Sequence, residues 1–338
     1  MNLLSIFNKY RSTYYEASKD LIKHTIVYSS SLLGLWYFRD SYLSIITTPL
    51  FALMNVRTYI VFHDCGHNSY TPNKTLNYMI GSILGIPVFT PFCWTYNHHN
   101  HHLTSGNKRN ELKHSQNETV FYTLTGYKDM GYKRHLYRTI MHPLIFFTLI
   151  SSFKFFILNR GSELFYKYNN HPYRQSINLI LFDTIVNNIG MSVLLLYMNQ
   201  HGIFYHYLCS MMCMSSISFI FFHNQHTFNP PYVVTNEKWN KKDSGLNGSS
   251  FIQVPKYLKF FFSGIEYHHL HHMNASIPGY NLHKVHEELI KNTNELDNIT
   301  KLSMNDCYHN LWLSLYDEDN NKYITFKEAE KNNNFKRS

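Results

Sequence analysis

Four apolar stretches, residues 21–38, 42–62, 179–198 and 203–222, each come close to the ~20 residues an α-helix needs to cross the hydrocarbon core of a bilayer. No water is available at that depth, so each segment must satisfy its own backbone hydrogen bonds, and helices are what such stretches can form. Residues 39–41 separate the first pair and 199–202 the second, so the four read as two hairpins. Composition agrees: 27 Tyr, 25 Phe and 12 Met stand beside only 16% charged residues. A mean hydropathy of −0.31 nevertheless requires a large wet portion. The expected fold is all-α and integral to a membrane, with four spans in two hairpins that carry a cytoplasmic helical cap. It divides into an N-terminal segment (1–20), a main domain (21–290) and a C-terminal tail (291–338).

Twelve of the 22 histidines fall into four short clusters just beyond apolar stretches. They are His63 and His67; His98, His99, His101 and His102; His223 and His226; and His268, His269, His271 and His272. Residues three and four apart share a helix face, so His63 and His67 can point at one centre. His98, His101 and His102 can do the same, as can His268, His271 and His272. A lone histidine on an apolar face is usually a hydrogen-bonded core residue, but three groups with helical ligand spacing are not explained that way. Imidazole suits iron, zinc, copper and nickel, and this many donors exceeds the demand of one tetrahedral site. Two metal ions are the economical reading.

One shared centre fixes the topology of two further apolar stretches, 76–94 and 141–158. Had either crossed the membrane, histidine groups would lie on opposite faces. Gly81, Gly85, Pro87 and Pro91 interrupt the first, and Pro143 and Lys154 the second, so both are expected to be interfacial or re-entrant. The segment between the hairpins carries Lys108, Arg109, Lys113, Lys128, Lys133, Arg134 and Arg138, whereas the opposite loops hold only Arg39. By the positive-inside rule, the histidines and both termini face the cytoplasm. Charged Lys9, Arg11, Glu16 and Lys19 precede any long apolar run, so no cleavable signal peptide is expected. Arg57 lies inside a span, about 9 Å below His63 at helical rise, and must snorkel or be paired. The net charge of +9 raises nucleic acid as a partner, but no aromatic-basic recognition module is visible. Five unpatterned cysteines fit reduced thiols.

Metal ligands at the membrane surface lie within reach of a chain in the bilayer. An all-histidine shell leaves the charge of two iron ions largely uncompensated, which favours the strongly oxidising chemistry needed to attack an unactivated methylene. A soluble di-iron bundle would use Glu and Glu-x-x-His pairs, and none line up here. Asp64 and Glu266, beside the clusters, are expected to orient imidazoles by hydrogen bonding.

The spacing HxxxH, HxxHH, HxxHH around two hairpins resembles the membrane fatty acid desaturase family. So do the residues around it: 57–67 (RTYIVFHDCGH), 101–107 (HHLTSGN), 248–255 (GSSFIQVP), 264–268 (GIEYH) and 271–282 (HHMNASIPGYNL). The resemblance covers about residues 20–328. It implies iron ligation by His63, His67, His98, His101, His102, His268, His271 and His272. His226, in Gln225-His226-Thr227, matches a further histidine of the family and makes a ninth ligand. His99, His223 and His269 fall off the matching positions. Three residues between the histidines of the first box resemble the acyl-lipid branch rather than the acyl-CoA one. There is no His-Pro-Gly-Gly haem motif, since His142-Pro143 and His171-Pro172 continue differently. Neither haem nor flavin is therefore expected in this chain. Electrons then come from a ferredoxin, or from free cytochrome b5 with its reductase. The basic residues Lys128, Lys133, Arg134 and Arg138 could dock such a carrier, although a loop facing anionic lipid is the preferred reading.

The resemblance thus implies an O2-dependent enzyme that places a cis double bond in a lipid-linked acyl chain. Hydroxylation, epoxygenation or carotenoid ketolation on the same scaffold is the alternative, and a histidine-rich metal transporter is a more distant one. The membrane would be the endoplasmic reticulum in a eukaryote and the inner membrane in a bacterium. Residues 317–328 place oxygen side chains at several calcium-loop positions. Lys322 stands where glycine is required, however, and no helical exit is evident, so a calcium site is not expected. The tail from Lys331 reads as disordered.

Overall fold

The computed structural model describes residues 3–107, 121–158 and 176–332. Lys108, Arg109, Lys113, His171 and Pro172 lie outside them. Helix α1 (Leu3–Lys9) leads to α2 (Tyr14–Tyr37), which starts where the Thr13 hydroxyl accepts the Glu16 amide at 3.2 Å. A short turn joins α2 to α3 (Ser44–Gly66), which ends at the first histidine pair. Helices α4 (Lys74–Gly85), α5 (Trp94–Thr104), α6 (Leu124–Asp129) and α7 (Lys133–Ile140) follow. The next helical run, α8 (143–158), alternates α and π turns. Then come α9 (Ile177–Gln200) and α10 (Phe204–His226), joined at Gly202, whose φ of +71° suits glycine.

Three described helices are long and apolar enough to cross a membrane: α3, α9 and α10. A fourth is possible if α7 and α8, bent by 60°, count as one broken span. The stretch expected to span at 21–38 does form a helix, α2, but it is not among those that pass on hydropathy. Along α9, Leu181, Phe182, Ile185, Ile189, Val193 and Leu196 are exposed, an apolar surface that belongs in lipid rather than water. Helix α3 is the opposite case and is buried over most of its length. It packs on α10 through Phe51, Tyr207 and Met211, and Asn55 donates to the Ser210 hydroxyl at 3.4 Å.

The apolar stretch 76–94 breaks as expected. Helix α4 has 12 residues, about 18 Å at 1.5 Å per residue, short of a ~30 Å core. Beyond it the backbone is irregular over 86–93, and its polar groups are met by side chains of the spanning helices. The Asn187 amide donates to the Thr90 carbonyl at 3.1 Å, and the Tyr207 hydroxyl to that of Pro87 at 2.6 Å. The Tyr78 hydroxyl of α4 donates to Asp183 at 2.5 Å. Non-helical backbone is tolerated at such depth when protein satisfies it in this way. Asp183 and Asn187, the polar residues that a transporter reading needs along an ion path, instead fasten this segment to α9.

Arg57 is paired. Its guanidinium donates to Asp20 of α2 at 2.5 Å and to the Phe260 carbonyl at 2.5 Å, while the Tyr70 hydroxyl holds the other Asp20 oxygen at 3.0 Å. The cap continues with α11 (Lys241–Gly248), β1 (Phe251–Ile252), α12 (Lys259–Phe262), α13 (His268–Met273), α14 (Gly279–Asn292) and β2 (Lys301–Leu302). Strands β1 and β2 pair in parallel. Ile6 and Phe7 of α1 join Leu270, Ile277, Leu282, Val285 and Leu289 in the core beneath.

After α15 (Met304–Asn310), two more short strands are added to a mostly helical fold that agrees with the all-α expectation. β3 (Leu313–Asp317) and β4 (Lys322–Thr325) form an antiparallel hairpin, and α16 (Phe326–Asn332) does provide the helical exit that the sequence did not suggest. Of the tail from Lys331, read as disordered, Lys331 and Asn332 belong to this helix, and 333–338 lie outside the described residues. The calcium-like residues are spent locally: Asp317 accepts from the Asn320 amide at 3.2 Å, and Glu328 accepts from the Thr325 amide at 2.8 Å.

Candidate metal centre

Each histidine pair owes its direction to helical spacing. His63 is one turn from the end of α3 and His67 caps it; His98, His101 and His102 project from α5; His268, His271 and His272 project from α13; and His226 ends α10. Tight contact brings the helices together. A β-carbon on Gly66 would lie 2.3 Å from Thr95 Cγ2, and one on Gly245 would lie 2.8 Å from Met273 Cγ. No side chain larger than hydrogen fits at either crossing.

The structure brings all nine expected ligands together and sorts them into two groups. Ring nitrogens of His63, His67, His98, His102 and His271 lie within 4.8 Å of one another, and so do those of His101, His226, His268 and His272. Sequence spacing alone did not reveal this partition. The pairs four apart stay together, His98 with His102 and His268 with His272. The residue between each pair, His101 or His271, crosses to the other group.

The donor set fits metal ions. The Nε2 atoms of His63 and His98 are 2.8 Å apart, those of His98 and His102 3.1 Å, and those of His63 and His67 3.3 Å. In the second group, His101 and His226 are separated by 3.0 Å, and His226 and His268 by 2.9 Å. Two nitrogens bound at right angles to one ion, with bonds of about 2.1 Å, would be about 3.0 Å apart. Among the described residues, both ring nitrogens of His271 and His272 are buried without a hydrogen-bond partner. Such a cost is met if a cation takes one of them. Burial first, and neighbouring imidazoles second, push His98, His102, His268, His271 and His272 well below the ordinary histidine pKa. They are neutral and ready to ligate without losing a proton.

Support around the rings is uneven. Asp64 accepts from His63 Nδ1 at 3.2 Å and from the Gly279 amide at 2.7 Å, so it both orients an imidazole and ties α3 to the start of α14. His226 Nδ1 donates to the Gly248 carbonyl at 3.1 Å, and Trp94 stacks on His98 at 5.0 Å between centroids. Glu266 does not do what the sequence suggested. It is buried, one of its oxygens has no hydrogen-bond partner among the described residues, and burial pushes its pKa up to about 7. His99, His223 and His269 stand outside both groups. His99 donates to the Thr95 carbonyl at 2.7 Å, and His223 to that of Asn310 at 2.8 Å.

Beneath the nitrogens lies an apolar cavity. Its walls include Val56, Tyr59, Ile60, Phe155, Phe219 and Phe262, and His63, His98 and His268 open onto it. Histidines of both groups thus border one mostly apolar cavity.

A family model described as fatty acid desaturase matches residues 40–298, most of the chain and all nine histidines. The chain belongs to the fatty acid desaturase family. It is 28% identical over 310 residues to a fatty acid desaturase of Bacillus subtilis (strain 168), covering 87% of this chain and 82% of that one. It is 24% identical over 292 residues to an sn-1 oleoyl-lipid 12-desaturase of a Picosynechococcus strain, covering 81% and 76%. A shorter match, 36% over 107 residues, covers 29% of this chain and 28% of an sn-1 acyl-lipid omega-3 desaturase (ferredoxin) of a Nostoc strain. This fatty acid desaturase is accordingly an oxidoreductase and a membrane protein, and the relatives' names do not favour hydroxylation or ketolation.

Proposed function

We propose that this desaturase acts on an acyl chain carried by a membrane lipid, with two iron ions held by the nine histidines. The observation that carries this reading is the apolar cavity bordered by histidines of both groups. Iron bound there would supply the activation of O2 and the removal of hydrogen. Adjacent methylenes lose two hydrogens to form a cis double bond, while O2, two electrons and two protons end as two waters. The chain's own part is positional. Phe155, Phe219 and Phe262 enclose the hydrocarbon and exclude water, Trp94 and Asp64 fix ring orientations, and Tyr59 and Ile60 set the wall nearest His63.

In this reading α2 spans together with α3, α9 and α10, and α4 and α8 stay on the histidine side. The histidine groups and both termini then share the cytoplasmic face. Residues 21–290 form the catalytic unit, flanked by 1–20 and 291–338. Electrons would come from a ferredoxin, or from cytochrome b5 with its reductase. A relative named as ferredoxin-linked supports the first of these.

Lipid profiling of an expressing host of known composition tests the reading. A new double bond in glycerolipid acyl chains, absent with His67→Ala, is expected. A hydroxylated chain without a new double bond would overturn it, as would product found only on acyl-CoA.

A further inference from the structure

The segment 256–262, which reaches α2 and α3 through Phe260, enters the chemistry above only through Phe262. Its sequence, KYLKFFF, is basic and aromatic, a combination that favours the headgroup level of a bilayer. Geometry sets its depth. The Phe260 ring lies between two cations, with Arg57 Cζ 4.2 Å from its centroid on α3 and Lys23 Nζ 4.7 Å from it on α2. Arg57 is six residues before His63, about 9 Å along the helix toward the membrane. Lys23 is also the last charge on α2 before its long apolar run. The segment therefore wraps the bundle where hydrocarbon gives way to headgroups.

Here Lys23, Lys256 and Lys259 are exposed, as is Tyr257 at 77%. Lys259 Nζ is steadied by the Tyr267 hydroxyl at 3.3 Å. Asp20, the acid closest to Lys23 in sequence, is already engaged by Arg57 and Tyr70. On its inner side the same segment ends in Phe262, followed by Ile265, and both line the apolar cavity. A cationic rim and an apolar interior are thus joined within a few residues. A glycerolipid has that layout too, with an anionic phosphate a few bonds from its acyl chains.

Resting on the acyl-lipid reading above, we propose that Lys23, Lys256 and Lys259 bind the phosphate of an anionic glycerolipid while its acyl chain enters the cavity beside Phe262 and Ile265. The test uses the full-length enzyme in nanodiscs with a reducing system. Oleoyl chains are offered either on phosphatidylglycerol or on an uncharged galactolipid. Wild type should desaturate the phospholipid with the higher kcat/KM. Lys256→Gln with Lys259→Gln should erase that preference, at roughly five-fold per lysine, and leave the galactolipid rate unchanged. Lys128→Gln with Lys133→Gln, on the basic face of α6 and α7, should keep the preference. Inorganic phosphate should inhibit no more than chloride of equal ionic strength, which separates a lipid headgroup from a free anion. Equal rates on both lipids in wild type, an unchanged preference in the double variant, or selective inhibition by inorganic phosphate would overturn the proposal. Turnover of acyl-CoA alone would show instead that the acyl-lipid reading itself has failed, and the headgroup site with it.

Discussion

At the scale of single residues, neighbours in sequence have different duties. His101 and His102 are adjacent on α5, yet their nitrogens belong to different groups. His101→Ala should therefore deplete the four-nitrogen group and His102→Ala the five-nitrogen one. Each should lower bound iron from two toward one per chain, measured by elemental analysis. Product should fall at least about 100-fold, since even partners that only orient a ligand cost 10–100-fold. Variants that keep two irons would refute the partition. Asp64 is such an orienting partner. Asp64→Asn retains the shape but weakens the bonds to His63 and Gly279. Iron retention against a chelator should drop by roughly 10-fold or more, while the helix content by circular dichroism stays the same.

Elements were legible to the extent that their reason is local. Spacing of three and four residues announced the histidine faces, and apolar length announced α3, α9 and α10. Glycines and prolines announced the break at 86–93. What was not legible depends on partners far along the chain. The rescue of that irregular backbone by Asn187 and Tyr207 joins residues about 100 positions apart, and no periodicity encodes it. Likewise the Asp317–Glu328 stretch looked like a loop for an ion because its acids are closely spaced. It is a hairpin because β3 and β4 pair and its acids bond their own backbone. Arg57 could be flagged as needing company, but Asp20 could not be named from the sequence. That pair makes a prediction at this scale. Asp20→Ala leaves a buried guanidinium without its counter-charge and should cost about 3 kcal/mol, read as a lower midpoint of thermal unfolding in detergent. Replacing Arg57 by Met as well should recover much of the loss; no recovery would mean that the pair does more than balance charge.

Across the whole molecule, the crossing of His101 and His271 links the two groups mechanically. Helices α5 and α13 each give a pair of nitrogens to one group and the intervening one to the other, so turning either helix to suit one group displaces a nitrogen of its neighbour. If two iron ions bind as proposed, the ion that fills one group would perform ordering that the second no longer has to supply. In thermodynamic terms the two binding events would share a favourable coupling, felt equally by whichever ion arrives second. Titration of the iron-free enzyme with ferrous iron should then be sigmoidal, and native mass spectrometry should find few chains holding a single ion. A hyperbolic curve with abundant singly loaded chains would contradict the coupling. When iron is scarce, such an enzyme divides into full and empty molecules, and its activity tracks the number of complete centres rather than the average occupancy.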